Sequence, residues 1–394
     1  MIRTILPLLL TTVSIPFNML GQEDTSSIIS QIREKSKLVD RILNEEQFRF
    51  QFVLTTIVKD SAAVNLTTES HLHNRYHYPA STVKLPVALL TMEKLNTHSL
   101  SLESIPKIHR DVHCGNMTYV DRSESGTIDF KEMIRELIVV SDNHYFNTLF
   151  HYLTPTVIRE KLQKKGLNST KIYRCFNGCE FPGSLLTNGL HITDNELRKT
   201  HYQAPSRMDL SEFSAAYVYD STKLLGSKHE YRRDIVPGPF DFNYNLDFPL
   251  DELHETMVRL VFPGQFDEEQ QWHIRAEDRD FLMKSLREVP SDLRKSQYTE
   301  TKHYPDNVFK YIVKGDNNPA YDHVISYSKI GISYGFVTET AYVVDTKRGI
   351  EYVLTASIYV NANDVVNDGI YEYEAIARPA LAQFGQLILE ALSE

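Results

Sequence analysis

Residues 48–58, Phe-Arg-Phe-Gln-Phe-Val-Leu-Thr-Thr-Ile-Val, partly alternate polar and apolar side chains and are rich in β-branched and aromatic types, which predicts a strand. Lys59-Asp60-Ser61 turns that strand toward a second one over 63–67. From 81 to 95 the period changes. Lys84, Leu85, Ala88, Leu89, Met92 and Leu95 recur at steps of three and four, the spacing of a helix face. This helix is apolar nearly all round, as a helix buried within a protein is. Pro86 conflicts with a helix interior, because it lacks an N–H, and is tolerable only near the helix start. Two helices broken near Ser141 are expected over 127–153 and a further one over 155–165. Strand-like runs return at 324–329, 335–345 and 351–360, and 372–392 closes the chain as a helix.

Strands at both ends with helices between them predict an α+β sandwich: one antiparallel sheet built from both chain ends and flanked by helices. The expected sheet subdomain takes about 45–80 and 322–394, and the helical subdomain about 81–321. Within it, 200–320 is polar, Tyr-rich and mostly helical in pattern, and reads as an inserted subdomain. At the N-terminus, Arg3 precedes an apolar stretch from Ile5 that runs on to Leu20, and charge returns at Glu23. That pattern predicts a secretory signal peptide over 1–21, with a single membrane anchor as the alternative. The mature part, 22–394, is then a single secreted domain, with the bacterial periplasm as the expected location. The formal net charge of -10, with no basic run, argues against nucleic acid as a partner. Of the three cysteines, Cys175 and Cys179 frame a tight loop that can close as a disulfide; three unpaired thiols are the alternative.

Ser81-Thr82-Val83-Lys84 is a Ser-x-x-Lys element at the start of the buried helix. Residues three apart on a helix share a face, so the Lys84 amine can reach the Ser81 hydroxyl. A serine is a weak nucleophile until a base takes its proton, and a lysine serves only if burial or nearby positive charge lowers its pKa. A helix start also offers backbone N–H groups to a developing oxyanion. Alone the tetrad carries little weight, since Ser326-Tyr327-Ser328-Lys329 matches it too. Two further elements give it weight. Ser141-Asp142-Asn143 lies sixty residues further on, after Leu137-Ile138-Val139-Val140, and Ser328-Lys329-Ile330-Gly331 ends a strand near the C-terminus.

This ordered trio, with Tyr78-Pro79-Ala80 before Ser81, Asn147 after Asn143 and Tyr334-Gly335 after Gly331, resembles the class A β-lactamase-related serine hydrolases of the β-lactamase and penicillin-binding protein superfamily. The resemblance covers about 45–200 and 322–394. It implies that Ser81 is the acylated nucleophile, Lys84 its general base and Ser141 the proton shuttle to the leaving nitrogen. It also implies that Asn143 orients the substrate amide, that Lys329 attracts a substrate carboxylate, and that Gly331 and Ile332 line the site, with the N–H groups of Ser81 and Ile332 as the oxyanion hole. Asp142 is expected to hold its loop. No cofactor is implied.

Two departures matter. The middle residue of the family's Lys-Thr-Gly is here Ile330, which cannot bind a carboxylate; Ser328 or Ser333 is the expected substitute. The family's water-activating glutamate, in a Glu-x-x-Leu-Asn context, is missing, and Glu180 is the nearest candidate. Without such a glutamate the enzyme would behave more like a penicillin-binding protein or an esterase. His71, His73 and His77, expected on one strand face, lack an acidic partner, so no metal site is expected. The function expected is hydrolysis of a β-lactam amide through an acyl-enzyme. The alternatives are a D-Ala-D-Ala-type peptidase or esterase on the same machinery, and a non-catalytic binder of cell-wall fragments. The expected partner is a small molecule, a β-lactam or a peptidoglycan-like peptide.

Overall fold

The computed structural model describes residues 27–59, 63–73, 75–108, 128–176, 183–293 and 304–394. The expected leader, Cys114, Cys179 and Glu180 lie outside them. Five antiparallel strands form the central sheet in the order Val324–Ser333, Phe336–Asp345, Ile350–Tyr359, Gln51–Lys59 and Val64–His71. Both chain ends therefore meet in one sheet, because the alternating apolar runs at 51–59 and 350–359 pair residue by residue, Phe52 opposite Ala356 and Leu54 opposite Leu354.

The sheet is buried on both faces. Phe52, Leu54, Ile330, Leu354 and Ile358 pack beneath helices Ser27–Lys35, Lys37–Asn44 and Arg378–Ala391. The other face meets helix Leu250–Val261 and, beyond it, the helical part of the chain. His254 from that helix joins two strands, its Nε2 2.7 Å from Thr55 Oγ1 and its Nδ1 3.0 Å from Thr355 Oγ1. Burial lowers its pKa to about 3, so the ring is neutral and both of its nitrogens have partners.

Helix Lys84–Thr97 runs through the helical part with most of its side chains buried, as its all-round apolarity predicts. It begins at Lys84, which puts Pro86 in the first turn, where its missing N–H has no intrahelical partner to lose. Helices Phe130–Val139 and Asn143–Leu153 are separated at Ser141, whose φ of 58° is left-handed and cannot continue a helix.

The expectation of a mostly helical 200–320 needs correcting. Helices Leu250–Val261 and Ala276–Arg287 are present, but the stretch before them holds short strand pairs, Leu224–Leu225 with Phe240–Asp241 and Lys228–Tyr231 with Asp234–Pro237. The polar composition hid the local alternation around the Arg232-Arg233 turn. Leu250–Val261 also lies against the central sheet itself, so this part of the segment belongs to the core. Among the described residues no helix is long and apolar enough to cross a membrane.

Candidate active site

Ser81 sits in the short 3-10 turn Ala80–Val83 that feeds helix Lys84–Thr97. The residue before it, Ala80, has a φ of 45°, a strained backbone for an alanine. Ser81, Ser141 and Asn143 are half-buried, whereas Lys84 and Lys329 are 0% and 1% exposed. Strain at Ala80 and Ser141, on either side of one amine, is the pattern expected where a fold holds reacting groups in place.

The Lys84 amine donates to the Ser141 carbonyl, to Ser141 Oγ at 3.1 Å and to Asn143 Oδ1 at 2.6 Å. None of these bonds goes to Ser81, one helical turn away. Hydrogen bonds of this kind are often loose before a substrate arrives. Lys329 donates to the same Ser141 Oγ at 3.0 Å and to the Ile330 carbonyl at 2.8 Å. The Ser141 hydroxyl thus accepts from two amines, and its own proton stays free to be given.

Burial pushes the Lys84 pKa well below the usual lysine range, and the nearby Lys329 charge adds to this, while Asp142 opposes it. Burial first and Lys310 second bring Lys329 down to about 7, against the pull of Glu339. Two lysines lowered in this way share one hydroxyl through which a proton can pass.

Asp142 caps the following helix, accepting from the Tyr145 N–H at 2.9 Å. That is the loop-holding place expected of it. Val324–Ser333 is the edge strand that brings Lys329 to the site. A Cβ on Gly331 would stand 2.3 Å from the Pro79 carbonyl and 2.6 Å from the Ser81 nitrogen, so the strand backbone lies directly against the serine turn. The strand turns back at Tyr334-Gly335, with φ of 53° and 82°, a two-residue type I′ hairpin. In such a hairpin the closing pair Ser333–Phe336 exchanges hydrogen bonds, so the Ile332 N–H points to the free edge.

Alternation along this strand revises the reading of Ile330. Its side chain is 2% exposed and packs in the core on the face away from Lys329. An isoleucine here offers the site no polar group. Ser328 shares that far face, and Ser333, half-buried, shares the face of Lys329.

The structure adds one residue that sequence reasoning passed over. The Phe176 ring lies 4.8 Å from the Lys84 amine. Asn147 clamps its backbone, accepting from the Phe176 N–H at 2.8 Å and donating to its carbonyl at 2.6 Å. Phe176 stands in the Cys-Phe-Asn-Gly-Cys loop, where nothing in the sequence marks it. Its neighbour Cys175 is a free, buried thiol, 3.9 Å from His151 Nε2. The three early histidines do not gather on one face: His71 and His73 meet at 2.7 Å, whereas His77 is buried beside the Phe248 backbone.

The family described as "Beta-lactamase enzyme family" matches residues 37–216, which hold Ser81, Lys84, Ser141 and Asn143. No curated protein matches the chain. Solved structures supply the rest of the frame. TLA-3 extended-spectrum β-lactamase superposes over 93% of this chain and 99% of its own, with a TM-score of 0.52 and 11% identity. A β-lactamase from Burkholderia vietnamiensis covers 94% and 100%, with a TM-score of 0.53 and 14% identity. One from Streptosporangium roseum covers 92% and 98%, with a TM-score of 0.51 and 13% identity. At these identities the likeness is one of fold, a β-lactamase-like α+β sandwich that includes the Lys329 strand. Fold and family match agree: residues 37–216 match the β-lactamase family, and the fold of the whole chain is similar to that of β-lactamases.

Proposed function

We propose that the chain is an acyl-enzyme serine hydrolase that opens the amide of a β-lactam ring at Ser81. The observation that carries this reading is the Ser141 hydroxyl held between two buried amines, 3.1 Å from Lys84 and 3.0 Å from Lys329. Lys84, lowered by burial, accepts the Ser81 proton as the oxygen attacks the carbonyl carbon. The C–N bond breaks, and the nitrogen takes the Ser141 proton, which Lys84 replaces. The N–H groups of Ser81 and Ile332 face the oxyanion, and Asn143 orients the amide. Lys329 supplies the charge for a substrate carboxylate, which is why a carboxylate-bearing amide fits better than a neutral one. A complete Ser81, Lys84, Ser141 and Lys329 set weighs against a non-catalytic binder. A leader at 1–21 and a periplasmic location suit an enzyme that meets cell-wall peptides and β-lactams outside the cytoplasm.

Incubation with a fluorescent penicillin tests the reading. One label per chain is expected, on the peptide that contains Ser81, in competition with a chromogenic cephalosporin. Absence of both label and colour would sink it.

The pH profile gives a second test. With its pKa near 7, Lys329 is charged below that pH and neutral above it. Lys84 acts on every substrate alike, so the ratio of two substrates isolates Lys329. The acylation rate with a carboxylate-bearing β-lactam, divided by that with a neutral ester, is expected to fall between about pH 7 and 9, by at most tenfold per unit. A flat ratio would remove the charge of Lys329 from the account.

A further inference from the structure

We propose that Phe176 closes the Ser81 site to the water that would release an acyl group, so that the chain opens a β-lactam and then keeps the product bound to Ser81. The proposal rests on the acylation reading and concerns the fate of the acyl-enzyme once it has formed.

Release is a separate step with its own demands. A water oxygen must bond to the ester carbon, its proton must pass to a base, and the Ser81 oxygen must leave and regain a proton. The base needs an acceptor atom beside the Lys84 amine and the ester. In this structure a phenyl ring fills space at that amine, 4.8 Å from it. A ring offers no lone pair for a proton and displaces the water that would supply one.

The ring is held in place. Asn147, itself 5% exposed, grips the Phe176 backbone by both its N–H and its carbonyl, at 2.8 and 2.6 Å. Phe146 packs edge-on against the ring with centroids 4.7 Å apart. A loop residue fixed at both ends of its peptide delivers its side chain to one place, and here that place is the amine. Asp142, the carboxylate that acts on Lys84, is committed to its helix cap. Among the described residues, Lys84 forms no ion pair.

The same ring favours the first half of the reaction. It keeps water from the amine, and burial is the largest cause that holds Lys84 in the range of a base. An arrangement that speeds acylation and starves deacylation gives a long-lived covalent product, in keeping with the missing glutamate motif.

The test separates the two half-reactions in the purified full chain. Acylation by a fluorescent penicillin is timed by intact mass, the excess reagent is removed, and loss of the adduct is followed. The parent chain is expected to label fully and to keep its label. Phe176→Glu is expected to label at a similar or lower rate and to release at least about tenfold faster, within the range a positioned base supplies. Phe176→Ala, which opens the space without a base, is expected to release faster than the parent and more slowly than Phe176→Glu. Fast turnover by the parent with no accumulated adduct overturns the proposal and leaves the acylation reading standing. So does release by both variants at the parental rate. If Glu180→Gln traps an adduct that the parent releases, Glu180 is the base and Phe176 is not a barrier. If neither label nor turnover is seen in the parent, the acylation reading itself fails and this proposal falls with it.

Discussion

A Lys84→Met chain is expected to fold and to acylate Ser81 about 1000-fold more slowly than the parent, a loss within the range of a positioned general base. The amine is wholly buried and bonds to the Ser141 carbonyl, Ser141 Oγ and Asn143 Oδ1. It therefore lies one helical turn from Ser81 and bonds to the Ser141 hydroxyl, the place the proposed mechanism gives the base. Methionine comes close to lysine in length and is flexible enough to fill the same space beside Phe176. The substitution strands two acceptors, Ser141 O and Asn143 Oδ1, at a cost of about 1–3 kcal/mol for each one left dry. Removing an amine that burial already disfavours offsets part of that cost. Thermal melting should thus shift modestly while the labelling rate collapses. Labelling within tenfold of the parent, at an unchanged melting temperature, would move the base away from Lys84.

The sequence made the fold readable where one periodicity runs unbroken. The strands at 51–59, 336–345 and 350–359 and the helix at 84–97 each bury a consistent set of positions. The site was readable for a different reason. Ser81 and Lys84 share a helical face by spacing alone, whereas Ser326 and Lys329, with the same spacing, lie on a strand and face opposite ways. The strand also places Ile330, since a residue next to Lys329 must face the opposite side of the sheet, here a buried core. Treating Lys-Ile-Gly as a unit obscured that alternation.

What stayed hidden depends on contacts between segments far apart in the chain. Phe176 reaches Lys84 only because Asn147, on another element, grips its backbone. Lys329 is lowered by burial first and then by Lys310, which is buried and bonded to the carbonyls of Leu286 at 2.5 Å and Ser326 at 3.3 Å. The short strand pairs between 224 and 241 have too few residues to show a period.

Gly331→Ala is expected to cost both stability and reactivity, because the added methyl has nowhere to go. Its Cβ would meet the Pro79 carbonyl at 2.3 Å, the Ser81 nitrogen at 2.6 Å and the Thr82 nitrogen at 2.9 Å. All three are backbone atoms, so no side chain can swing aside. Either the edge strand moves outward or the serine turn moves into the helix behind it. That turn is anchored by Thr82, which donates to the Pro79 carbonyl at 2.8 Å, and the strand is paired along its length to Phe336–Asp345. Overpacking of this kind costs about 1–3 kcal/mol. The effect on chemistry should be larger than a uniform weakening. The N–H groups of Ser81 and Ile332, which the proposed mechanism aims at one oxyanion, belong to the two segments that the methyl drives apart, and losing one such donor costs about 100- to 1000-fold in rate. Acylation by the fluorescent penicillin should fall by that factor in protein that still melts cooperatively. A Gly331→Ala chain that labels at the parental rate would show that the strand and the serine turn do not share the oxyanion. The catalytic reading of Ile332 would fall, while those of Ser81 and Lys84 would stand.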